Sequence, residues 1–224
     1  MDSEKNILKL LKEKAYTKQK VYKITKEVFS KIQEILSDKA TRLNTAVSDT
    51  DVNISYEESG DFDAKLKFSG DTLLFHMHTN IFDFESSHQI HKTSYVKKDK
   101  MRSFCGVINI YNFLSDSLKY NRLNDVGFLI ARIFINKGSH FFVEGDKELG
   151  FLFNDFINQQ INKEQMDNII NSAMEYSLNF DLETPDFNDV KMVSIHEILE
   201  INNNNKIKTS KRLGFKFSHD TNNE

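Results

Sequence analysis

The residues best equipped for chemistry lie in one stretch, Leu73–His91, which carries four of the chain's seven histidines. His76 and His78 stand as H-x-H, His88 and His91 as H-x-x-H. On a strand, positions two apart project from one side. His76 and His78 therefore present two imidazoles together, a geometry able to chelate one metal ion. Leu74, Asn80 and Phe82 share their side. Phe75, Met77 and Ile81 take the other and are expected in the core. A metal needs further ligands, and Asp83 is the next carboxylate along the chain. His76, His78 and Asp83 form the candidate metal site. His88 and His91 do not complete it. With 73–84 and 91–97 paired as a hairpin and Phe84 opposite His91, His78 sits across from Lys97, roughly 20 Å from the turn at ~3.3 Å per residue. Metal–nitrogen bonds reach only about 2 Å. Without a metal, the pair is expected on a polar sheet face or beside a carboxylate such as Asp83.

The order Gly70, His76-x-His78, Asp83 resembles the first half of the cupin pattern, in which a glycine precedes H-x-H and a carboxylate follows. The resemblance covers residues 70–83. Asp83 stands where that family usually has Glu, no glycine follows at the expected distance, and no Pro-x-Gly…His half occurs downstream; His140 lacks that context. The resemblance implies a metal-dependent enzyme, a hydrolase or oxygenase, holding one divalent ion. Asp63-Ala64-Lys65, with Asp51 as a second acid, resembles a restriction-type nuclease core, where two acids hold Mg²⁺ and Lys orients water. Acid-x-Lys triplets occur twice here, fewer than the roughly four that chance supplies at this composition. The patterns for phosphate-cradling, dinucleotide-binding, nucleophile-elbow, H-E-x-x-H and C-x-x-C sites are absent. The single cysteine, Cys105, lies in the apolar run SFCGVINIY and reads as a buried thiol rather than a nucleophile. It cannot form an internal disulfide, which points to a reducing, cytoplasmic setting.

The elements that position these residues follow from periodicity. Apolar residues recur at three, four or seven over 3–43 (Leu8, Leu11, Ala15, Tyr22, Phe29, Ile32, Leu36, Ala40, Leu43), the signature of a helix with one buried face. Thr17 offers a cap for a second segment within it. The period then changes to two. Residues 52–58 and 64–68 alternate as half-buried strands, and Ser-Gly-Asp at 59–61 and 69–71 marks tight turns in which Gly takes the positive φ. So 52–84 is expected as a three-stranded meander. Further strands are expected near 91–97, 104–112, 127–136, 140–145 and 148–153, with turns at 136–139 and 144–147. Helix returns over 155–180, where Asn162 precedes Gln165 at capping distance and Met166, Ile169, Ile170 and Ala173 form the apolar stripe. A loop around Pro185, a short strand near 190–193 and a capped turn at Ser194–Glu197 follow. Residues 202–224 read as a polar, flexible tail.

The fold class is therefore α+β: a long N-terminal helix and C-terminal helices on an antiparallel sheet of about seven strands. Residues 1–201 form one domain (1–43 helical, 52–153 strand-rich, 155–201 mainly helical). Charge is unevenly distributed along the chain. Residues 1–43 carry +5, 144–200 carry −10 and 201–224 carry +3, so the basic ends are expected to dock on the acidic segment. The chain is charged from its start, with no apolar core of signal-peptide length and no run long enough to span a membrane. No membrane partner is expected. A net charge of −3 and only five Arg against 25 Lys argue against a dedicated nucleic-acid binder, although the basic N-terminal helix is the place such binding would use. The expectation is a non-enzymatic cytoplasmic domain that binds a small molecule or a protein, or pairs with itself, without a cofactor. The alternatives are the H-x-H metal enzyme and the nucleic-acid binder.

Overall fold

The computed structural model describes residues 2–47, 51–123, 125–181, 184 and 186–196. Met1–Leu178 form one compact unit, and a second begins at Asn179. In the first unit, α1 (Asp2–Leu10) passes through one π-helical turn (Leu11–Ala15) into α2 (Tyr16–Ala46). Six strands follow: β1 (Ile54–Glu58), β2 (Asp63–Phe68), β3 (Asp71–Met77), β4 (Cys105–Leu114), β5 (Phe128–Asn136) and β6 (Phe141–Gly145). They pair antiparallel in sequence order as one sheet. The helix α6 (Lys163–Leu178) joins α2 over one face.

Why this face is the covered one is plain from alternation. Ala64, Leu66 and Phe68 of β2, Leu73, Phe75 and Met77 of β3, and Ile108 and Ile110 of β4 are buried in one cluster with Phe29, Ile32 and Leu36 of α2 and Ile169, Ile170 and Ala173 of α6. The helix stripe and the strand alternation meet there as the periods require. Helix and sheet approach closely at Gly106, where an added Cβ would lie 2.8 Å from the Thr25 Cβ. Charge joins the helices too: Lys39 of α2 is buried, its Nζ 2.7 Å from Asp167 Oδ1 and 2.6 Å from Asn171 Oδ1 of α6. This ion pair joins the basic first helix to the acidic segment; the basic tail, also expected to dock there, lies outside the described residues.

Several elements depart from the periodic reading. The described residues form six strands rather than seven. Residues 91–97 do not pair as a strand. The segment folds as three short turns: Gln89–Lys92, α3 (Ser94–Lys98) and Lys100–Ser103. His88, Thr93 and Asp99 start them by accepting from the N–H groups of Ile90, Val96 and Met101, so side-chain caps override the β-propensity of the apolar residues. Residues 148–153 form a helical turn, α5 (Glu148–Leu152), which buries Leu149 and leaves Phe151 exposed. The chain then returns along β6, where Val143 N–H donates to Phe153 O. Strand β4 leads into a short helix, α4 (Ser115–Lys119). Helix α6 starts at Lys163 rather than near 155, and Asn162 Oδ1 accepts from Gln165 N–H as the capping spacing requires.

At the N-terminus the helix continues past the sheet. Leu8 and Leu11 are about half exposed, although their spacing continues the buried stripe, and Thr17 is buried within continuous helix instead of capping a new one. The π turn is the irregularity found there. Gly60 takes the positive φ of the first Ser-Gly-Asp turn, but in the second it is Ser69, at φ 54°. In the second unit, Phe187–Val190 form α7, capped by Asp186; no strand forms at 190–193. Pro185, Glu197 and the tail from 202 lie outside the described residues. No described helix is long and apolar enough to cross a membrane.

Candidate functional site

The four histidines of the opening stretch go to separate places. His76 lies on the face of β3 away from α2, its Nδ1 2.7 Å from Asp63 Oδ1 on β2, its register partner. His78 follows the end of β3. Its Nδ1 accepts from the Asn80 N–H at 3.0 Å, and its ring meets Phe82 edge-on. The two rings are 6.4 Å apart between centroids. Asp83 is exposed and accepts from the Phe84 N–H. His88 caps its turn and stacks on Phe84; His91 Nε2 is 3.0 Å from Phe84 O. Each ring thus holds its place through one nitrogen. Among the described residues, no three His, Cys, Asp or Glu side chains are grouped to hold a metal ion. Phe75 and Met77 are fully buried as expected, and Ile81 is half-buried.

The Asp63–His76 pair belongs to a longer row. Asp63, His76, Asn109, Arg132 and Glu144 are successive register partners across β2 to β6, and all lie on the face away from α2. Arg132 is already paired with Glu144. Lys65, of the acid-x-Lys triplet, bonds Glu57 at 3.1 Å, so the triplet's lysine serves a cross-strand ion pair. Cys105 is fully buried; burial, with the nearby Asp83 charge, pushes its thiol well above the ordinary range. Both burial and charge there disfavour the thiolate, the form that acts as a nucleophile.

A concave site lies elsewhere, at the π turn. A cleft of about 830 Å³ is walled by Lys12, Glu13, Tyr16 and Lys20 on one side. The turn Lys100–Ser103 and Lys137, Gly138 and His140 of the β5–β6 connection form the other. Five cations and two acids border it. π turns recur at functional sites because they re-aim side chains on a helix, and this one contributes Lys12 and Glu13.

The floor is built from buried polar contacts. Asn136, fully buried, donates from Nδ2 to Tyr95 Oη and Arg102 O, and accepts at Oδ1 from the N–H groups of Gly138 and His140. One side chain so joins the Lys100–Ser103 turn to the β5–β6 connection within one wall. Arg102 stacks over the Tyr95 ring at 4.3 Å, His140 stacks on the same ring at 4.4 Å, and Arg102 Nη1 donates to Tyr95 O. His140 Nδ1 lies 3.0 Å from the Phe156 carbonyl. A carbonyl only accepts, so Nδ1 carries the proton and Nε2 is the acceptor of the neutral ring.

Asp99 ties the cations together. It accepts from Lys137 Nζ at 2.6 Å and lies 3.8 Å from Arg102 Nε. Burial works against its charge. Hydrogen bonds from Lys137 and the Met101 N–H, with the charges of Lys137 and Arg102, outweigh burial and hold its carboxyl below the ordinary value. Lys12, Lys20 and Lys100 have no ion pair among the described residues. No protein-family model, curated protein or solved structure matches the chain.

Proposed function

We propose that the chain is a non-enzymatic binding domain whose ligand site is the basic cleft, and that the ligand is a small anion. The carrying observation is the convergence of Lys12, Lys20, Lys100, Arg102 and Lys137, from three separate parts of the chain, on one concavity with two acids. A volume of about 830 Å³ falls within the range of pockets that enclose small molecules, about 300–1,000 Å³. The buried Asn136 anchor supports a preformed site, which lowers the ordering cost of binding. The one cysteine is a buried free thiol, which supports a reducing, cytoplasmic setting.

Nucleic-acid binding through the same helix is the second reading, favoured by Lys14 and Lys18, which lie over the Phe104 ring beside the cleft. Calorimetry separates the two. With orthophosphate, pyrophosphate, sulfate and citrate as probes, at least one should bind with one-to-one stoichiometry. Lys20→Glu with Lys100→Glu should abolish that binding without lowering the melting temperature. A panel in which no anion binds sinks the proposal. Binding of a single-stranded oligonucleotide alone, weakening steeply with salt, selects the second reading.

A further inference from the structure

The open charges of the cleft are not equivalent to its total charge, and the difference points to a ligand class. Arg102 is committed: its guanidinium lies on the Tyr95 ring, donates to Tyr95 O and faces Asp99. Lys137 is committed to the same Asp99 carboxylate. What remains to meet a ligand is three lysine ammonium groups, Lys12, Lys20 and Lys100, arriving from two opposing walls. The rigid two-pronged fork of an arginine recognises carboxylates and phosphates alike, and here that fork is already occupied, so recognition falls to the lysines. Separate ammonium point charges suit tetrahedral phosphate, whose oxygens accept from several directions.

Magnitude selects within the phosphates. Five cations against Glu13 and Asp99 leave +3 around the cleft. A phosphate monoester carries only about −1.5 to −2 near neutrality, whereas two linked phosphates carry more charge and offer oxygens in two groups to ammonium groups on two walls. We infer that the cleft is a diphosphate site, taking the diphosphate group of a small phosphorylated ligand between Lys12 and Lys20 on one wall and Lys100 on the other. This rests on the reading of the cleft as an anion site.

Titration calorimetry with inorganic pyrophosphate, orthophosphate and citrate at one ionic strength tests it. Pyrophosphate should bind at least tenfold more tightly than either of the others. Lys12→Gln, Lys20→Gln and Lys100→Gln should each weaken pyrophosphate about tenfold. Lys65→Gln, whose lysine bonds Glu57 outside the cleft, should leave it unchanged. Citrate binding as tightly as pyrophosphate, or orthophosphate within threefold of it, overturns the diphosphate assignment and leaves the anion cleft standing. Binding of none of the three overturns both. Equal loss in Lys65→Gln shows general charge attraction and overturns the assignment to these three lysines. Circular dichroism of each variant confirms that a lost affinity is not a lost fold.

Discussion

The contact of α6 with α2 turns on one buried charge, and its removal from either end should have opposite consequences. Lys39 is 2% exposed, whereas Asp167 retains 37% of its side-chain surface. Asp167→Ala leaves the ammonium buried with the Asn171 carbonyl oxygen as its remaining polar contact. Stranding a buried charge this way costs about 3–5 kcal/mol. Water can reach the space vacated by a partly exposed carboxylate, so the expected value falls below that range, at about 2–3 kcal/mol. Lys39→Met removes the charge that needs a partner and keeps an unbranched side chain in the buried position. Asp167 then faces water and keeps its bond from Asn171 Nδ2. That variant should lie within about 1 kcal/mol of the parent, on either side. The double variant should resemble Lys39→Met, a coupling of roughly 2 kcal/mol. Urea denaturation at neutral pH reads all three midpoints, with unchanged slopes confirming the same surface exposed. If Lys39→Met destabilises as much as Asp167→Ala, or if the two add within about 0.5 kcal/mol, the pair is not the buried contact described.

Other consequences follow from burial and charge. The folded pKa of Asp99 is lowered, so its stabilising contribution is complete above its unfolded value of about 3.9 and fades as pH falls through the folded value. Asp99→Asn should therefore lower the melting temperature at neutral pH and make progressively less difference in acid; a gap unchanged at about pH 2 would contradict this. Met77→Asp places a carboxylate in a fully buried position and should cost more than about 4 kcal/mol, while His78→Ala loses one bond to the Asn80 N–H and should cost about 1 kcal/mol; denaturant midpoints in the reverse order would mean the strand faces are misassigned. Deleting residues 1–10 should leave stability within about 0.5 kcal/mol because the apolar residues of α1 are exposed, and deleting 1–46 should abolish cooperative melting because Phe29, Ile32 and Leu36 go with it.

How much of this was legible depends on what kind of force shaped each segment. Where burial dominates, period carries the information: Ala64, Leu66 and Phe68 alternate, Met166, Ile169, Ile170 and Ala173 recur at helical spacing, and both sets are in the core. Where local hydrogen bonds dominate, period misleads. His88, Thr93 and Asp99 each redirect the chain within three residues, too short a span for any periodicity to register. Spacing also says which residues share a face without saying whether anything covers it. Leu8 and Leu11 continue the stripe of α2 in sequence, yet the sheet ends before them and both stay exposed.

The sites divide the same way. The pairing of Asp63 with His76 was within reach of the sequence, because a two-residue turn at Ser69 and Gly70 puts Phe68 opposite Asp71 and, counting back, Asp63 opposite His76. The two residues belong to different sequence patterns, His76 to the H-x-H pair and Asp63 to the acid-x-Lys triplet, and the register joins them into a cross-strand pair. The extension of that row to Asn109 was not within reach, since the register of β3 on β4 is set across the capped turns of 78–104 rather than by a tight hairpin. The basic cleft lay further still. Lys12 and Lys20 read as one side of a solvated helix, Lys100 and Arg102 as loop charges, Lys137 as part of a hairpin turn. One wall is assembled by Asn136, whose four hydrogen bonds bring the β5–β6 connection against Tyr95 and Arg102, while the helix carries Lys12 and Lys20 to the other. A residue that acts by holding two backbones together leaves no spacing pattern, because two of its partners, Tyr95 and Arg102, lie dozens of positions away and the other two are main-chain N–H groups that any residue could supply.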